Sequence, residues 1–228
     1  MKKTLAALAI AAALAPVASA QAATISYSAT KAMTTTNWSE NLSFNKFDSS
    51  LGNLTSITFD LSGIVRGSGS AESLDAAAST VTLTLGSLLT LTRPDNTTLV
   101  VTNPVFSRVF GFAAHDGGLD FGGASGGTTG SVDASNSNFF TSTAASDFDL
   151  FSALGGGSLS LGLAALGQTS GTGAGNLITQ FSTAAAGTAS VTYTFTPFAE
   201  VPEPASMAML LGGLGLMGQA RRRTGAKA

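Results

Sequence analysis

The densest chemistry in the chain sits around its single histidine. His115 and Asp116 are adjacent, and Gly117-Gly118-Leu119-Asp120-Phe121-Gly122-Gly123 follows. A histidine beside an aspartate invites comparison with a nucleophilic triad. That device needs a serine on one ring nitrogen and an acid on the other, which adjacent residues rarely provide. No G-x-S-x-G turn accompanies it, so His115 reads as a solvated loop residue and no catalytic residue is assigned. Asp116 and Asp120 in a glycine-rich loop are candidate ligands for a hard cation. Calcium takes about six to eight oxygens, so the pair would need carbonyls, water or a remote carboxylate such as Asp133. The spacing matches neither an EF-hand loop nor a G-G-x-G-x-D repeat. Trp38, with Tyr27 and Tyr193, supplies the flat polarised surfaces on which sugars stack, which makes Trp38 a candidate ligand residue. The aromatic side chains of Phe110, Phe112 and Phe121 around the loop read as core.

The elements that carry these residues are strands. Period-2 alternation runs through residues 57–62, 81–85, 89–92 and 191–196, with apolar side chains on one face and Thr or Ser on the other. Residues 99–102, 105–112 and 159–163 are further strands, and clusters of Gly, Asn, Asp and Ser between them are turn signals. The pattern predicts an all-β fold, an antiparallel two-sheet sandwich of about seven to nine strands. Short helices are expected over 71–78 and 144–154, the second capped by Ser146 with Asp147 and Asp149 in its first turn.

The chain has 228 residues, 11% charged and 44% hydrophobic, with no Cys. Thiol nucleophiles, Cys-based metal sites and disulfides are excluded, as are coiled coils. Between residues 21 and 200, five basic residues face twelve acidic ones, a net charge of −7 that the basic ends conceal. Charge of that sign gives no attraction to phosphate polymers, so no nucleic-acid partner is expected.

The ends carry addresses. Lys2 and Lys3 precede an uncharged run from Leu5 to Ala15, then Pro16 and Val17-Ala18-Ser19-Ala20. This is the n-region, h-region and A-x-A pattern of a secretory signal peptide, handled by the Sec translocon and signal peptidase. Residues 1–20 are read as that helix, with Ala18 and Ala20 marking cleavage after Ala20 and Ala22 as second choice. At the other end, Val201-Pro202-Glu203-Pro204 leads into a Gly-, Leu- and Met-rich stretch, residues 205–220, closed by Arg221-Arg222-Arg223. As a helix at about 1.5 Å per residue it spans roughly 24 Å, short of the roughly 30 Å hydrocarbon core. That suits a short transmembrane helix inserted transiently, with the arginines cytoplasmic. Gly213-Leu214-Gly215-Leu216-Met217-Gly218 inside it satisfies G-x-G-x-x-G, but the chain ends too soon to supply the following helix and acidic residue of a dinucleotide site.

Residues 201–228, by the joint order of the Pro-Glu-Pro motif, apolar segment and Arg cluster, resemble the PEP-CTERM sorting signal of Gram-negative bacteria that make exopolysaccharide. The resemblance implies recognition by an exosortase, a multi-spanning membrane enzyme with cysteine-protease-like chemistry, then surface attachment or release. Within the 21–200 passenger, Phe47-Asp48-Ser49-Ser50-Leu51-Gly52-Asn53-Leu54-Thr55-Ser56-Ile57-Thr58 and the closing 187–197 segment are similar to the choice-of-anchor E family, which implies a common exported β domain and no particular reaction. The first segment also reads physically, as a turn in which Asp48 bonds local amides and Gly52 supplies a positive φ.

The expectation is an exported, exosortase-sorted surface or matrix protein. Its role is expected to be structural or adhesive, associated with exopolysaccharide or biofilm, and not enzymatic. No resident cofactor is expected beyond an optional calcium. The alternative is a carbohydrate-binding or calcium-dependent recognition module on the same anchor.

Overall fold

Alternation of inward and outward side chains persists much further along the chain than the short apolar runs suggest, and the fold is built from that persistence. The computed structural model describes residues 21–198. The expected signal-peptide and C-terminal helices, with Ala18, Ala20, Val201, Pro202, Glu203, Pro204 and Arg221 to Arg223, lie outside the described residues.

The strands are β1 (Ala23–Thr35), β2 (Trp38–Asn45), β3 (Phe47–Asp48), β4 (Gly52–Ser73), β5 (Ser79–Thr92), β6 (Thr98–Thr102), β7 (Val105–Phe112), β8 (Gly126–Thr128) and β9 (Val132–Ser142). Helix α1 (Ala145–Phe151) follows, then β10 (Ser152–Ala153), β11 (Ser158–Thr172) and β12 (Leu177–Pro197). One five-stranded sheet has the order β1-β12-β4-β8, with β9 pairing β4 further along. The other has the order β2-β11-β5-β6, with β7 pairing β5 further along. The two central strands each serve two partners on one edge. β4 pairs β9 over Ile57–Gly67 and β8 over Ser70–Glu72; β5 pairs β7 over Ser79–Gly86 and β6 over Leu89–Thr92. β3 and β10 form a two-residue parallel ladder.

Ile57, Phe59 and Leu61 of β4 and Val191 and Tyr193 of β12 share one buried cluster with Leu89 and Leu91 of β5 and Leu161 and Leu163 of β11. Two inner faces therefore close on each other, as expected of a sandwich. A second, smaller cluster of Ala71, Val81, Leu83 and Phe112 continues the core towards the far end, with Phe110 packed against it. Glycines let the layers approach. A Cβ on Gly63 of β4 would lie 2.8 Å from Leu89 Cδ1, and one on Gly187 of β12 would lie 2.9 Å from Leu89 Cδ2 and 3.0 Å from Leu163 Cδ2. Tyr193 is fully buried, its rings in contact with Phe47 and Tyr27, and its hydroxyl donates to the Asn45 carbonyl at 2.9 Å.

β1 and β12 run antiparallel with Ala23 opposite Phe195. Thr55, near the start of β4, donates from its hydroxyl to the Thr194 carbonyl, and the Leu74 amide just beyond β4 donates to the Asn176 carbonyl just before β12. The first and last described strands thus end together at one pole of the sandwich, and the end of β4 lies at the other.

Four expectations are corrected. Among the described residues twelve strands form where about seven to nine were expected; the additions are β1, β2, β9 and the very short β3, β8 and β10. The runs 81–85 and 89–92 are one strand, because Val81, Leu83, Leu85, Ser87, Leu89 and Leu91 keep the same parity and are all buried. The helix expected over 71–78 does not form: Ala71, Glu72 and Ser73 complete β4, whose inward positions simply become smaller towards its end. The second helix does form, shorter than expected and without the Ser146 cap. Ala144 is the N-cap and its side chain makes no capping bond; the Ser142 hydroxyl accepts the Ala144 amide instead. Among the described residues no helix is long and apolar enough to cross a membrane.

Candidate functional site

Among the described residues, the end of β4 and the 113–125 loop bring together a group of three side chains able to ligate a metal. Three backbone bonds fold the loop onto the sandwich: the Ala113 amide donates to the Ala124 carbonyl at 2.8 Å, the His115 amide to the Asp75 carbonyl at 2.9 Å, and the Ser73 amide to the Ser125 carbonyl at 2.9 Å. Asp75 in turn accepts the amides of Gly175 and Asn176 at 2.7 and 2.9 Å. Left-handed backbone at Gly117 (φ 93°) and Gly123 (φ 63°) makes the loop turn twice.

Glu72 is fully buried. It sits opposite Gly126 in the β4–β8 ladder, where the missing side chain matters: a Cβ at Gly126 would collide with Glu72 Oε2 and come within 2.6 Å of the Gly122 backbone. Glu72 Oε1 accepts the Ser125 hydroxyl at 2.6 Å, while Oε2 has no partner. The His115 Nδ1 atom is likewise buried and unpartnered. One donor atom from each of Glu72, His115 and Asp116 lies within 4.8 Å of the other two.

Asp116 is held from the opposite side. Its Oδ1 accepts the Gly118 amide and its Oδ2 the Ala124 amide, both at 3.1 Å, and its own amide donates to Ser125 Oγ at 3.3 Å. The amides of Gly118 and Ala124 keep its carboxyl below the usual carboxylate range, because they bond the charged form more strongly than the neutral one. Asp120 turns locally, accepting the Gly122 amide at 2.8 Å, and Asp133 pairs with Arg66 at 2.7 Å. Of the carboxylates considered from the sequence, Asp116 joins the cluster; the other two members are His115 and Glu72.

Glu72 was not foreseen as a site residue. Assigned to a short helix, it had no reason to face the loop. The signal that finds it is the continuation of β4 past Ala71: the alternation would turn Glu72 outward, and there the 113–125 loop covers it.

Trp38 opens β2, half-buried against the main core cluster. Lys31 Nζ lies 6.0 Å from its ring centroid and pairs with Glu40 at 2.8 Å, and its indole Nε1 is buried without a partner. The ring is engaged by the core and by a lysine. Phe110 and Phe112 stack with centroids 5.7 Å apart in the smaller cluster, as core residues. The Asp48 turn forms as read, with Oδ1 accepting the amides of Ser50 and Gly155, each at 2.9 Å; Gly52 itself is extended, at φ 158°. Asp48 also lines an open cleft of about 470 Å³ with Asn45, Lys46 and Leu51.

The family profile of the PEP-CTERM protein-sorting motif matches residues 200–223. The motif indicates an exosortase-targeted, exported protein directed to the cell surface, with an exosortase as its processing partner. No curated protein matches the chain. Among solved structures, the VP2 subviral particle of infectious bursal disease virus is 14% identical with a TM-score of 0.22, over 78% of this chain and 37% of that one. The Gx strain of the same virus is 15% identical with a TM-score of 0.17, over 90% of this chain and 49% of that one. The chain thus spans half or less of the length of these structures, and likeness at such scores carries no argument about fold or role.

Proposed function

We propose that this chain is a non-enzymatic structural or adhesive component of the bacterial surface or its exopolysaccharide matrix, delivered there by exosortase processing of its tail. The observation that carries the reading is the sorting motif at residues 200–223, joined to a β domain whose main buried polar network ties elements together. The bidentate Arg93–Asp147 pair and the Tyr193–Asn45 bond are bracing contacts. Fully paired groups of this kind rigidify a scaffold.

An N-terminal Sec signal cleaved after Ala20 and a transiently inserted C-terminal helix complete the route, and the passenger belongs with choice-of-anchor E domains by its 47–58 and 187–197 segments. The reading is tested by the intact mass of the exported protein from its natural host, which reports both termini at once. A mature chain lacking the segment beyond the Pro-Glu-Pro motif is expected; an exported chain still ending at Ala228 overturns the processing step.

A further inference from the structure

Glu72 poses a problem that its protein neighbours do not solve. One carboxylate oxygen is satisfied by Ser125, and the other is out of contact with water and lacks a donor. Buried polar groups are ordinarily paired, and a carboxylate oxygen left alone is costly. His115 Nδ1 is in the same condition a few ångströms away. Both orphaned atoms are metal donors, and Asp116 adds a third from the rim. Burial grades from fully buried Glu72 through half-buried His115 to exposed Asp116, which leaves an entry path from solvent.

We infer that Glu72, His115 and Asp116 form a binding site for a divalent transition ion of the zinc class, which pins the 113–125 loop to the end of β4. The donor set favours that class: imidazole selects zinc and its neighbours, whereas calcium needs about six to eight oxygens and finds two carboxylates here. An ion about 2.1 Å from each donor draws them together from their present spacing by roughly an ångström, a motion within reach of a loop that carries two of the three. The supporting contacts are already made. The Ser125 hydroxyl orients Glu72, and the Gly118 and Ala124 amides orient Asp116 while leaving each of its oxygens a free lone pair. Gly126 gives Oε2 its space. Three protein ligands leave a fourth position to solvent.

The chain has one histidine, so its imidazole resonances report this site alone. ZnCl2 added to the untagged, chelator-treated full chain is expected to shift the His115 Nδ1 resonance, to saturate at one ion per chain and to raise the melting temperature. Equimolar CaCl2 leaves the ring unmoved. Glu72→Gln and Asp116→Asn weaken zinc by at least the roughly 10–100-fold that loss of a supporting partner costs, and Asp149→Asn on α1 binds as the native chain does. A ring unmoved by several equivalents of zinc overturns the inference. So does a His115→Ala chain that binds zinc undiminished, or a ring that responds to pH alone, which would assign the cluster to a proton shared by Glu72 and His115. Should a substituted chain not fold, the ring titration on the unsubstituted chain decides.

Discussion

Arg93 grips Asp147 through two parallel hydrogen bonds, Nε to Oδ1 and Nη2 to Oδ2, each 2.8 Å long, with both side chains largely buried. The Ser142 hydroxyl adds a third bond to the same carboxylate at 2.5 Å. The arrangement ties the turn between β5 and β6 to the first turn of α1, whose Phe151 is fully buried against Phe59 at 4.9 Å between ring centroids.

Removing one partner strands the other charge, so Asp147→Ala is expected to lower unfolding free energy by about 3 kcal/mol. The guanidinium beside Asp147 holds its carboxyl below the ordinary value. The resulting stabilisation is present above the unfolded pKa of about 3.9 and disappears as pH falls through the lower folded value. Urea midpoints measured from pH 6 to pH 2 should fall less steeply in Asp147→Asn than in the native chain; parallel curves would remove the pair from the acid response.

Burial pushes the Tyr193 phenol well above its ordinary value, with the nearby Tyr27 acting the same way. A raised acid contributes stability below its unfolded pKa near 10 and loses it as pH rises. Tyr193→Phe should cost about 1 kcal/mol at neutral pH, where the Asn45 carbonyl loses its donor. The same variant should unfold at higher pH than the native chain in an alkaline titration followed by circular dichroism.

Gly63 is packed to contact by Leu89. Gly63→Ala is expected to cost about 1–3 kcal/mol by overpacking, and Leu89→Ala about 2–5 kcal/mol by cavity formation. Together they should cost clearly less than the sum, because each substitution relieves the other. Chemical denaturation of the four chains gives the coupling directly; strict additivity would mean the layers are not set by this contact.

Glu203→Ala, or deletion of Arg221 to Arg223, should leave signal-peptide removal intact and change the fate of the C-terminus. Fractionation with mass spectrometry distinguishes retention with an uncut tail from release. Unaltered C-terminal processing in both variants would separate the motif from its expected enzyme.

The exported protein should be retained by exopolysaccharide from its own host in a pull-down, and Trp38→Ala should lose retention only if its folded stability also drops, since the ring is engaged by the core. Loss of retention in a fully folded Trp38→Ala chain would instead make the residue a sugar contact and favour the recognition-module reading.

Parity is what the sequence made legible and what it hid. Residues 57–62 and 191–196 advertise themselves through large apolar side chains, and they lie in β4 and β12 as expected. The continuations do so less, because apart from Val65 the inward positions shrink to Gly63, Gly67, Gly69 and Ala71 in one strand and to Ala185, Gly187 and Ala189 in the other. Small residues are silent in a hydrophobicity pattern although the alternation persists, so an alanine-rich stretch at 71–78 looked helical. The same silence concealed Glu72, whose role depends on where a strand ends. Asp116 was legible because acidic residues among glycines stand out; Glu72, forty-four residues earlier in the chain, was not, because pairing of β4 with β8 is what brings them together.

The antiparallel match of Ala23 with Phe195 puts both ends of the described domain at one pole of the sandwich. The chain leaves β12 beside the start of β1, while Glu72 lies seventeen residues along β4 from Thr55, roughly 56 Å of strand at about 3.3 Å per residue. A label or fusion attached at either end of the described domain is thereby kept a full strand length from the histidine loop.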